Sequence, residues 1–122
     1  MDRRARLFVA LAVLAGCART SLPDAPSGEP YVRGPVESFT HHATASRLLV
    51  RPGPGSPDAC GIAATVDART RYLQRGPSGE PRAIPRSSVG VGDTVEVYVT
   101  GAIAESCPAQ AYAAVVVLVA RP

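Results

Sequence analysis

The chain has 122 residues, 46% hydrophobic and 19% charged, with 12 Pro, 11 Gly and no Trp. That balance excludes a disordered, collagenous or coiled-coil polypeptide and fits one small domain with extensions. The formal net charge is +3, but Arg3, Arg4 and Arg6 against Asp2 supply two of those charges and leave a single one for residues 17–122, so the clustered positive excess of a nucleic-acid surface is missing and nucleic acid is not an expected partner.

Residues 1–16 read as a signal peptide: a basic start, an apolar run at 7–15, then Gly16. The run is about half of the ~20 residues that a membrane-spanning helix needs, so a retained span is not expected. The string Leu14-Ala15-Gly16-Cys17 resembles the lipobox of bacterial lipoproteins, in which small residues precede a cysteine that is acylated and becomes the first residue. The resemblance implies lipidation at Cys17 and attachment to a bacterial membrane through fatty acyl chains such as palmitate, on an extracytoplasmic face. Burying acyl chains yields about 0.8 kcal/mol per CH₂, and stable anchoring takes two chains or more. The alternative is ordinary secretory cleavage after Ala15 or Ala18, which exports the chain equally.

Residues 17–30 read as a lipidated tether. The Pro-rich composition continues as far as Pro35, with Pro23, Pro26 and Pro30 and no apolar periodicity, and such a stretch makes a semi-rigid spacer. Pro-Ser-Gly-Glu-Pro occurs at 26–30 and again at 77–81, with no similarity beyond its edges; two exposed turns of like composition are expected, not a repeat.

Residues 31–122 form the expected domain. Strands are predicted at 32–39, 47–51, 61–66 and 70–73, although 63–74 also fits helical spacing loosely. Val95, Val97 and Val99 alternate with Glu96, Tyr98 and Thr100, the period-two pattern of a sheet with one buried and one wet face. Gly90-Val91-Gly92-Asp93 supplies the turn before that strand, and Gly101 permits a bulge or bend after it. Residues 112–120 are apolar on both faces and Val-rich, as in a fully covered strand closing the core. Five or six short strands between Gly/Pro turns point to an all-β fold, a small five-stranded OB-like antiparallel barrel.

Apart from Cys17, two cysteines remain, and in an oxidising compartment a Cys60–Cys107 disulfide is the default expectation, with two separate thiols as the alternative. No Cys-X-X-Cys suggests a redox pair. His41-His42 offers adjacent rings on opposite faces of a strand end with no third ligand nearby, so no metal and no cofactor are expected. There is no Gly-X-Ser-X-Gly elbow, and Ser106 has no identifiable base. Glu37, Asp67, Asp93, Glu96 and Glu105 are scattered along the chain. The segment 75–86 carries Arg75, Arg82 and Arg86 against Glu80; it could touch an anion, though a solvated loop is the plainer expectation.

Val89-Gly90-Val91-Gly92-Asp93-Thr94-Val95-Glu96-Val97, then Gly101-Ala102-Ile103-Ala104-Glu105-Ser106-Cys107-Pro108-Ala109-Gln110 and the Val-rich end resemble the small bacterial YobA-like lipoproteins, a family whose domain has no assigned function. The resemblance implies a compact OB-like β fold, export and lipid attachment, with a Glu-Ser-Tyr-Pro-X-Gln motif before the last strand. Cys107 stands where the motif has Tyr, as it would if a bond to Cys60 replaced the packing of the ring. It brings no catalytic residues. Glu105, Ser106, Pro108 and Gln110 are the candidate motif, expected as a shaped turn in which Pro108 fixes φ and the polar side chains satisfy loop backbone groups. The function expected is a non-enzymatic, lipid-anchored envelope module that binds an envelope protein or glycan. The alternatives are an enzyme or accessory domain acting on envelope polymers, needing two or more of Glu37, Asp67, Glu96 and Glu105 to converge, and a sensor built on His41 and His42.

Overall fold

A computed structural model describes residue 26 and residues 28–122. The signal peptide, Cys17 and most of the tether lie outside the described residues.

The domain is all-β: β1 (Val32–His41), β2 (Ser46–Val50), β3 (Ile62–Val66), β4 (Arg71–Arg75), β5 (Pro81–Ala83), β6 (Thr94–Ala104) and β7 (Ala109–Ala120), with one 3-10 turn at Arg86–Ser88. Strands meet in the order β3-β2-β1-β6-β7-β4-β5, and β3 also pairs with β7. Five strands, β1, β2, β3, β7 and β6, therefore close into a ring, and the β4–β5 hairpin continues outside it. Every ladder in the ring is antiparallel except β3–β7, which is parallel from Ile62 opposite Ala109 to Thr65 opposite Tyr112.

Alternation decides which face is buried. Leu48 and Val50 of β2, Ile62, Ala64 and Val66 of β3, and Val95 and Val97 of β6 point inward and are fully excluded from solvent. β7 has no wet face in its second half. Val116 and Leu118 enter the ring core, while Val115 and Val117 pack outward with Leu73 of β4 and, at their edge, Tyr98. This is why the Val-rich run tolerates apolar residues in succession.

Residues 63–74 are two strands and not a helix. Both run parallel to β7, β3 along its first half and β4 along its second. Between them the Thr70 hydroxyl accepts from the Asp67 amide at 3.1 Å and donates to the Ala113 carbonyl at 2.9 Å. The β-branched Thr65, Val66 and Thr70 suit that path. The Pro-rich composition does not keep residues 32–35 apart from the domain, because they pair with β6 as part of β1, and the Tyr31 amide extends the ladder to Val97 O at 2.8 Å.

Two further expectations need correction. The described residues hold seven strands, because the presumed loop 75–86 contains β5 and runs into the 3-10 turn; β5 is recruited by pairing with β4, which its own three residues do not announce. Glu96 is not on a wet face but 5% exposed. The arginines of β1 and β4 and the Tyr98 ring cover it. β6 does turn at Gly101, where φ is +80° and the register with β7 shifts between Thr100 and Ala104.

Candidate functional site

The two ends of β3 carry the two candidate regions. At its start, Cys60 and Cys107 form a disulfide with Cα atoms 5.2 Å apart. One cysteine precedes β3 and the other precedes β7, so the bond sits where the parallel pair begins. Asp58 Oδ2 accepts from the amides of Cys60 and Gly61 at 2.8 and 2.7 Å, shaping the approach to the bond. On the other side the Ser106 hydroxyl donates to Pro108 O at 2.8 Å, and the Cys107–Pro108 peptide is cis. The motif is thus a turn that delivers β7, as its residues suggested for Ser106 and Pro108. Glu105 and Gln110 do otherwise: both are exposed, and among the described residues neither side chain makes a hydrogen bond to the loop. Close by, burial, followed by the charges of Asp58 and Glu105, raises the Tyr31 pKa above its ordinary value.

The scattered carboxylates stay apart in their engagements. Glu96 receives Arg75 at 2.6 Å and Arg33 at 3.2 Å, with the Tyr98 hydroxyl 3.4 Å away. This ties β4, β1 and β6 together on the outer face, and its hydrogen bond raises the already high Arg75 pKa. Asp93 is buried where the 90–93 turn closes, accepting from the Gly90 amide at 2.9 Å with Arg121 3.6 Å away. Glu37 lies 4.0 Å from Arg51 on the surface.

At the far end of β3, the 42–45 turn, the 67–70 turn and the 3-10 turn surround a cavity of about 480 Å³. His42 lies on its rim. His41, the last residue of β1, is exposed, 3.3 Å by Nδ1 from Ser46 Oγ and stacked at 4.6 Å on Phe39. Among the described residues no group of three or more His, Cys, Asp or Glu side chains could hold a metal ion, and no helix is long and apolar enough to cross a membrane. Tyr72, also in the lining, escaped sequence reasoning as a site residue, because nothing local distinguishes a core tyrosine from one that lines a cavity; Arg86, which the sequence marked with Arg75 and Arg82 as an arginine that could touch an anion, lines it too.

Asp67 holds the cavity's lower turn. Its Oδ1 accepts from the Tyr112 hydroxyl at 2.8 Å and the Arg69 amide at 2.9 Å, and these bonds, the Tyr112 bond foremost, lower its pKa below 3.8. A carboxyl depressed in the folded state contributes stability above its ordinary pKa and loses it as pH falls through the depressed value. Tyr112→Phe is therefore expected to flatten the fall in melting temperature below about pH 4. An acid limb identical to that of the unmodified protein would mean that the bond does not bias the titration.

Compared with family models, curated proteins and solved structures, the chain matches none.

Proposed function

We propose that this chain is a lipid-anchored cell-envelope protein whose OB-like barrel is a non-enzymatic binding module for an envelope component, protein or glycan. The observation that carries the reading is the Cys60–Cys107 bond across the ring closure. A structural disulfide of this kind belongs to an exported protein, in agreement with a leader that ends at Gly16, just before Cys17. The barrel reading draws on the ring of five strands, in which the last strand returns beside the third in the manner of a Greek key. The binding reading draws on Glu37, Asp67, Asp93 and Glu96, each engaged with its own turn or cation, and on a cavity framed by turns on a stapled scaffold.

Intact mass of the mature protein, with and without reductant, tests the anchor and the bond together. The expected result is a chain beginning at an acylated Cys17 that gains two hydrogens on reduction. A full-length chain with its leader uncut and its thiols free, recovered with soluble cytosolic contents, would overturn the reading. Crosslinking in intact envelopes is expected to recover one specific partner; recovery of none across several growth conditions counts against a module for macromolecules.

A further inference from the structure

Three of the seven polar side chains around the cavity at the end of β3 already have partners. Thr70 is bound to Asp67 and Ala113, Asp67 to Tyr112 and Arg69, and Ser46 to His41. Two groups differ. Tyr72 is 7% exposed, and its buried hydroxyl has no hydrogen-bond partner among the described residues. Arg86 is exposed and makes no ion pair or side-chain hydrogen bond among the described residues, yet its charge acts on the Tyr72 phenol. A buried hydroxyl with no partner forfeits more than an ordinary hydrogen bond contributes. A phenyl ring would fill the same space without that cost, so the empty chain gains nothing from the oxygen.

We propose that this cavity binds a small monocarboxylate. The carboxylate is shared between the Arg86 guanidinium and the Tyr72 hydroxyl, and a short apolar body lies against Ala43, Ala45 and Val66. Binding opens the rim enough for a ligand oxygen to meet the hydroxyl. Arg86 is suited to this movement, since it sits on a one-turn segment with no buried residue.

The chemistry favours this ligand class on three grounds. Guanidinium matches a planar carboxylate through paired donors. The phenol is a donor at neutral pH at its ordinary pKa of about 10, and burial only pushes that value further up, to about 12. Asp67, ionised in the same lining, repels further negative charge and so selects against phosphate monoesters. The volume of about 480 Å³ falls within the range of small-molecule sites. The inference rests on the binding-module reading but not on the lipid anchor.

The test is a titration of the full-length chain, purified in a non-ionic detergent and followed by amide NMR, with benzoate and pentanoate as probes. Saturable shifts are expected at Thr44, Thr70 and Arg86, with benzamide and inorganic phosphate binding at least about ten-fold more weakly. Tyr72→Phe and Arg86→Gln are each expected to weaken benzoate about ten-fold, and Tyr72→Phe to melt no lower than the unmodified protein. Absence of saturable shifts, equal binding of benzamide, or full binding by Tyr72→Phe would overturn the proposal. So would a lower melting temperature for Tyr72→Phe, which would reveal a partner for the hydroxyl in the empty chain. A crosslinked envelope partner found without any carboxylate binding discards this site and leaves the module reading standing.

Discussion

Replacing Cys60 and Cys107 together with serine is expected to lower the domain's stability by about 4 kcal/mol, the loop-closure entropy that a bond at this separation removes from the unfolded chain. The residues stand 47 apart in sequence. Both are exposed, so the substitution empties no packed volume and the measured change reports the cross-link alone. For a domain of this size the loss corresponds to a fall in melting temperature of roughly 15–30 °C. The position of the bond amplifies its role: it pins the start of β3 to the start of β7, the one parallel ladder of the ring, and parallel pairing is slightly weaker per residue than antiparallel pairing. Urea unfolding of the double variant, and of the unmodified protein with reductant, should give the same lowered midpoint. A midpoint unmoved by either treatment would show that the strand ladders alone hold the ring closed.

Gly34→Ala should cost about 3 kcal/mol, at the upper end for overpacking, because the collision is between two backbones. The chain leaving β2 crosses directly over Gly34. The Gly53 amide donates to Arg33 O at 2.8 Å and the Arg51 amide to Pro35 O at 3.1 Å. A Cβ on Gly34 would collide with the Arg51 carbonyl oxygen and come within 2.7 Å of the Gly53 nitrogen. No rotamer relieves such a contact, so β1 and the 51–53 segment must part and give up these bonds. Gly90→Ala is the control, since a Cβ there meets nothing within 4 Å, and its denaturation midpoint should stay within error of the unmodified protein. Equal midpoints for the two variants would show that the crossing at Gly34 yields without loss.

Strand positions were legible because alternation is local. β2 and the first half of β6 announce themselves through apolar residues two apart, and the Val-rich end of the chain through β-branched residues on both faces. Ser106 and Pro108 were equally legible as a turn, since a hydroxyl and a fixed φ act within a few residues. Cys60 and Cys107 were the natural pair once Cys17 was set aside, but only their approach across β3 and β7 joins them.

Burial and closure were not legible, because they depend on what lies opposite. Glu96 has the sequence neighbours of a wet-face residue and is buried nonetheless, because Arg33 and Arg75 arrive from strands about sixty and twenty residues earlier in the chain. The 63–74 segment leans towards a strand pair in sequence while fitting helical spacing loosely, and it is β7 that supplies the two parallel ladders. Tyr72 and Arg86 meet only after a hairpin and a 3-10 turn have brought them to one cavity. Composition and local pattern determined that this chain makes a small β domain with two cysteines to join. Tertiary structure alone decided which carboxylate is buried, where the ring closes and which hydroxyl is left without a partner among the described residues, because each of these is a relation between residues that the chain's own periodicity does not connect.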